Sequence, residues 1–125
     1  MRFAAAALVA CAATLVHAGP VEVYREGPEL CPRNVPKTAP ALNAIKAIER
    51  SRKMLPADFC GPSTFVSGCD AEPEFALGAW RMYFHQYRER DGRKDRGGLA
   101  HTYIILDPVG NCLANIPGTE PGAPR

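Results

Sequence analysis

Of five cysteines, the four that lie beyond the expected leader, Cys31, Cys60, Cys69 and Cys112, constrain this chain more than any other feature. An even cysteine count in a short exported chain reads as a disulfide framework, and four cysteines allow three pairings. Cys60 and Cys69 would close a short loop of Gly, Pro and Ser, whereas Cys31 and Cys112 would tie the two ends together. Cys31–Cys112 with Cys60–Cys69 is therefore the favoured set, the other two staying open. A zinc site is the competing use of thiols, but there is no C-x-x-C pair and the spacing is irregular, so no metal and no cofactor are expected.

The framework matters only if the chain is exported. Arg2 supplies a positive start, Phe3 to Val16 is almost unbroken apolar sequence, and Val16-His17-Ala18 ends in the small residue that signal peptidase requires. Residues 1–18 read as a removable signal peptide, too short to span a bilayer comfortably and followed by no other apolar run of that length. Leu8-Val9-Ala10-Cys11 also resembles a lipoprotein cleavage box, yet cutting there would leave an unusually short leader and strand Ala12 to Val16 as an apolar start. The expected product is secreted, extracellular and unattached to membrane. It keeps 14 Lys and Arg against 13 Asp and Glu, a net charge of +1. So even a balance gives no general attraction to nucleic acid or anionic lipid, and any such binding must come from a local patch.

The rest reads as one α+β domain over residues 19–116: one helix packed on an antiparallel sheet of about four strands, with a flexible Pro/Gly-rich tail at 117–125. Val21 to Tyr24 alternates like a short edge strand, and Gly27 to Lys37 is a proline-rich loop. Thr38 is positioned to cap a helix from Ala39 to about Leu55, with Leu42, Ile45 and Ile48 on its apolar stripe and Pro56 as its stop. Ala57 to Glu74 reads as irregular. Phe75 to Tyr87 reads as the longest strand, Trp80, Met82 and Phe84 facing the helix and Arg81, Tyr83, His85 and Tyr87 facing away. Arg88 to Gly98 reads as a solvated hairpin loop in which five cations alternate with Glu89, Asp91 and Asp95. Ala100 to Leu106 and Cys112 to Ile116 read as strands joined by a tight turn at Asp107 to Asn111.

The run Gly97-Gly98-Leu99-Ala100-His101-Thr102-Tyr103-Ile104-Ile105-Leu106, the turn that follows it, the strand Leu113-Ala114-Asn115-Ile116, and Cys31-Pro-Arg-Asn-Val-Pro ahead of a helix together carry a resemblance. The order resembles the small secreted ribonucleases of the guanyl-specific fungal type. It looks still more like the ribonuclease-like effectors that fungal pathogens secrete into plants. The likeness covers about two thirds of the mature chain and rests on pattern and order. It implies a fungal source, a virulence role, and a host protein or RNA as partner.

Ribonucleases of this type use a Glu or His as base, an Arg on the phosphate, and a His as acid. Here the strand Arg81 to Tyr87 contains no carboxylate. The arginine position falls near His101 or Thr102, and the terminal histidine position near Gly118 or Thr119. With at least two of three roles vacant, the expectation is a monomeric, non-catalytic binding protein using Arg81, Tyr83, His85, Tyr87, Arg88 and Arg90. Two alternatives stand beside it. One is an active ribonuclease in which His85, His101 and Arg81 are the catalytic candidates on neighbouring strands. The other is an inhibitor or toxin-like scaffold presenting Pro62 to Val66 from the Cys60–Cys69 loop.

Overall fold

The computed structural model describes residues 30–122. The leader expected at 1–18, the strand expected at Val21 to Tyr24 and the last three residues lie outside the described residues. The elements are helix α1 (Ala44–Arg52) and strands β1 (Gly68–Ala76), β2 (Ala79–Arg90), β3 (Arg93–Asp95), β4 (Ala100–Leu106) and β5 (Cys112–Thr119). All pairings are antiparallel, in the order β1-β2-β4-β5, and β3 pairs with the far end of β2. The α+β class and both expected disulfides are present, with one strand more than expected.

The helix is shorter than its apolar spacing predicts. Leu42 N–H donates to Pro108 O at 2.8 Å, which anchors residue 42 to the β4–β5 turn instead of to a helical turn. Asn43 rather than Thr38 is the N-cap, its side chain accepting from Lys46 N–H at 2.8 Å. Beyond Arg52 the chain tightens into i→i−3 bonds, with Met54 N–H on Ser51 O at 2.8 Å.

The buried stripe is also rotated. Ala47, Ser51 and Met54 face the sheet, Leu42 and Ile48 flank them, and Ile45 is 66% exposed. Small Ala47 and Ser51 let the helix approach closely, and the hidden Ser51 hydroxyl is satisfied by donating to Ala47 O at 2.7 Å.

The core lies between that stripe and one sheet face: Met82 and Phe84 from β2, Ile104 and Leu106 from β4, and Cys112 from β5. Buried Asn115 stitches three segments through it, donating to Leu30 O and Met54 O and accepting from the Thr102 hydroxyl at 2.6 Å. Cys31–Cys112 joins the entry segment to β5 across 81 residues, reinforced by Arg33 donating to Cys112 O at 2.7 Å. The turn at Asp107 to Asn111 forms as expected. Burial opposes ionisation of Asp107, but hydrogen bonds from Asn111, Val109 and Gly110 prevail and hold its carboxyl below the usual range.

Four boundaries in the sheet differ from the sequence reading. The loop expected at Arg88 to Gly98 is partly ladder, because β2 runs on to Arg90 and pairs there with β3. The strand expected at Phe75 to Tyr87 is broken by a two-residue turn at Leu77-Gly78, with φ of 54° and 74°. What precedes it, expected to be irregular, is strand β1. Its Pro73 is tolerated because, among the described residues, β1 is an edge strand with no ladder partner on its outer side. The segment expected to be flexible from Pro117 continues β5 to Thr119, and Glu120 N–H donates to Leu99 O at 2.7 Å.

Candidate functional site

Among the described residues no helix covers the second face of the sheet. Register and alternation decide what stands there. Glu72 of β1 pairs with Tyr83, Asp70 with His85, and Glu74 with Arg81, which places these acids on the same face as the odd-numbered β2 residues. On the other side of β2, His85 pairs with His101 and Tyr83 with Tyr103. Gly118 of β5 pairs with His101, and Glu120 follows just beyond the strand.

The face thus carries two imidazole–carboxylate pairs flanking one tyrosine. His85 Nε2 lies 2.9 Å from Glu72 Oε2, and Arg96 Nη2 reaches the same oxygen at 3.5 Å. His101 Nδ1 lies 2.8 Å from Glu120 Oε2, which also accepts from the Tyr83 hydroxyl. The Tyr83 bond and the His101 contact hold the Glu120 carboxyl below the usual glutamate range against the opposing effect of burial. Burial first, and the Glu120 contact second, push the Tyr83 hydroxyl up to about 12. An ionised carboxylate only accepts, so His101 Nδ1 carries the donated proton and its Nε2 is left as the other ring nitrogen.

That Nε2 sits over Gly118. A Cβ there would stand 2.5 Å from it, so only glycine leaves room for the ring. The Tyr83 and Tyr103 rings stack at 4.6 Å between centroids, and Tyr103 is 46% exposed. Beside them a cavity of about 320 Å³ is lined by Glu72, Pro73, Glu74, Arg81, Tyr83 and Tyr103.

The structure divides the residues singled out from sequence. It brings Arg81, Tyr83, His85 and His101 onto one face, with both histidines on adjacent strands. His85, however, is completely enclosed and its Nδ1 is buried without a hydrogen-bond partner among the described residues. Tyr87 lies against Gly68 beneath Lys94, whose ammonium is 4.3 Å from the ring and bonded to Asp70, so Tyr87 is already covered. Arg88 and Arg90 alternate onto the opposite face of β2, Arg88 lying 5.4 Å over the Phe65 ring.

Sequence reasoning missed Glu72, Arg96, Tyr103, Gly118 and Glu120. The Asp70-x-Glu72-x-Glu74 alternation was the available signal for the first. Glu120 carried none, because only its long-range pairing brings it to His101. The fold and face together define an α+β domain with an ordered Tyr/His/carboxylate surface. No family model, curated protein or solved structure matches this chain. Among the described residues no helix is long and apolar enough to cross a membrane, and no group of three or more His, Cys, Asp or Glu is placed to hold a metal ion.

Proposed function

We propose that this is a secreted, effector-like protein that binds single-stranded RNA on the tyrosine face without cleaving it. The observation that carries the reading is the exposed Tyr103 ring backed by Tyr83. A stacked pair with one open side is a platform for a base of any identity, because every base has a π-face. Arg81 and Arg96 stand beside it to meet phosphate; of the acids on the same face, Glu72 is paired with Arg96 and Glu120 is occupied by Tyr83 and His101, while Glu74 shares the cavity lining. The two disulfides suit an oxidising extracellular compartment, which agrees with the leader at residues 1–18. Enclosure of His85 argues against catalysis by the His85, His101 and Arg81 set, because an imidazole with no exposed surface cannot exchange a proton with substrate.

Binding is tested by fluorescence anisotropy with a labelled single-stranded RNA of about twelve nucleotides, within the usual span of such sites. Replacing Tyr103 with Ala should weaken binding about five- to 150-fold, the value of one base–aromatic stack, while circular dichroism stays unchanged. Wild-type protein that does not bind the RNA overturns the reading.

A catalytic reading draws on one specific observation. Glu120 orients His101 through Nδ1 in the manner of a general acid, and Glu72, more than half exposed beside Arg96, is placed as a base. It predicts cleavage of the same RNA that disappears in His101→Ala. Intact RNA after prolonged incubation with wild-type protein disposes of it.

A further inference from the structure

The β2–β3 ribbon reaches past the four-stranded sheet, since Arg88 to Arg90 pair only with β3. Its turn, Asp91-Gly92, has φ of 51° and 76°, the left-handed pair that a two-residue hairpin turn requires and that Asp-Gly supplies. A turn so well specified fixes the register, and the register sorts the charges. Arg90 stands directly opposite Arg93, and Arg88 opposite Asp95, while Glu89 pairs with Lys94 on the other side. One side of the ribbon therefore carries Arg88, Arg90 and Arg93 with Asp95 as its acid.

Like charges directly opposite on a ladder are destabilising. Neither the Arg90 nor the Arg93 side chain has an ion-pair or hydrogen-bond partner among the described residues, and both are exposed beside a hollow of about 390 Å³. Arg88, by contrast, is held over Phe65 and points the row. The row is anchored as well: on the reverse side Lys94 bonds both oxygens of Asp70 at 3.1 Å, clamping the ribbon to β1 and the tyrosine face.

We infer that Arg90 and Arg93, with Arg88 behind them, grip the phosphodiester backbone of the RNA that the tyrosine face binds. Residues two apart on one strand are about 6.6–6.8 Å apart and a cross-strand pair is closer, a spacing that lets each guanidinium take a separate phosphate of one strand. Guanidinium is suited to the task because its planar fork meets phosphate oxygens two at a time. Because Arg88 and Arg90 face away from the tyrosines on β2, the strand would stack a base on Tyr103 and wrap its backbone around the edge of the ribbon to reach them, so base contact and charge contact sit on separate elements.

This inference rests on the RNA reading, and the test separates the two. Affinity for the labelled RNA is measured from low to moderate salt for the wild-type protein, for Arg90→Gln with Arg93→Gln, and for Tyr103→Ala. A charge-matched control replaces Lys37 and Lys53, which are exposed and lie outside the β2–β3 ribbon, with Gln. Two lost phosphate contacts on a single strand should make the slope of log K against log salt shallower by about 1.4. The Tyr103 variant should bind more weakly with its slope intact, and the lysine variant should keep both. Removing the Arg90–Arg93 repulsion should leave the melting temperature equal or higher, so weaker binding would not reflect unfolding. A wild-type slope in the arginine variant, or an equal change in the lysine control, overturns the assignment of the ribbon while leaving the RNA reading standing. Absence of RNA binding by the wild-type protein overturns both.

Discussion

Tyr83→Phe replaces the hydroxyl at the centre of the polar face with hydrogen and leaves the ring stacked on Tyr103. The lost bond runs from a hydroxyl to an ionised acceptor, a class contributing about 1.5–3 kcal/mol. Glu120 retains His101 as a partner and its side chain keeps 15% of its exposure, so the low end applies, about 1.5–2 kcal/mol. For a domain of this size that corresponds to a fall of about 6–16 °C in melting temperature.

The pH dependence has a definite sign. Glu120 has a folded pKa below its ordinary 4.5, so its contribution is present above that value and lost as pH falls through the lower, folded one. The Tyr83 hydroxyl is raised, so its share is complete below pH 10 and lost as pH climbs toward 12. Urea unfolding of wild type, Tyr83→Phe, Glu120→Gln and the double variant at pH 7 should give a coupling of about 1 kcal/mol or more, as contacting residues do. Below the range in which Glu120 protonates, the gap between wild type and Tyr83→Phe should narrow. Equal stability at pH 7, or a gap that persists unchanged in acid, would refute the account of this network.

Two further substitutions test packing. Gly118→Ala drives a methyl into the His101 ring and should cost about 1–3 kcal/mol in urea unfolding; the penalty should shrink in a His101→Ala background, and one that persists there would show that the ring is not the obstacle. Leu77 holds a left-handed φ of 54° while 90% exposed, so Leu77→Asn should raise stability by about 1 kcal/mol, with no gain in thermal unfolding counting against the strain.

What could be read from the chain followed from local rules. Trp80 to Tyr87 alternates with period two, and that alone placed Met82 and Phe84 in the core and Tyr83 on the open face. Loop spacing was enough to favour both disulfides. The errors share a cause: tertiary contacts outweighed local pattern. Strand β1 escaped notice because its exposed row is acidic and Pro73 looks like a loop residue until β1 is known to be an edge. Leu77 disguised a turn as continuous strand. Ile45 fitted an apolar stripe at helical spacing, yet small Ala47 and Ser51 set the angle at which α1 meets the sheet. The carboxylates of the polar face were the largest omission. Glu72 reaches His85 from β1 and Glu120 reaches His101 from just beyond the end of β5, meetings that the pairing of distant segments creates.

The bridge between Cys31 and Cys112 also governs what proteolysis can do. Any single backbone cut between those residues, including one at the protruding Asp91-Gly92 tip, yields two polypeptides that remain covalently joined through sulfur. A clipped molecule would migrate as one species until a reductant is added, then separate into two. The sheet would lose only the link between β2 and β3, with the remaining strands still held in order.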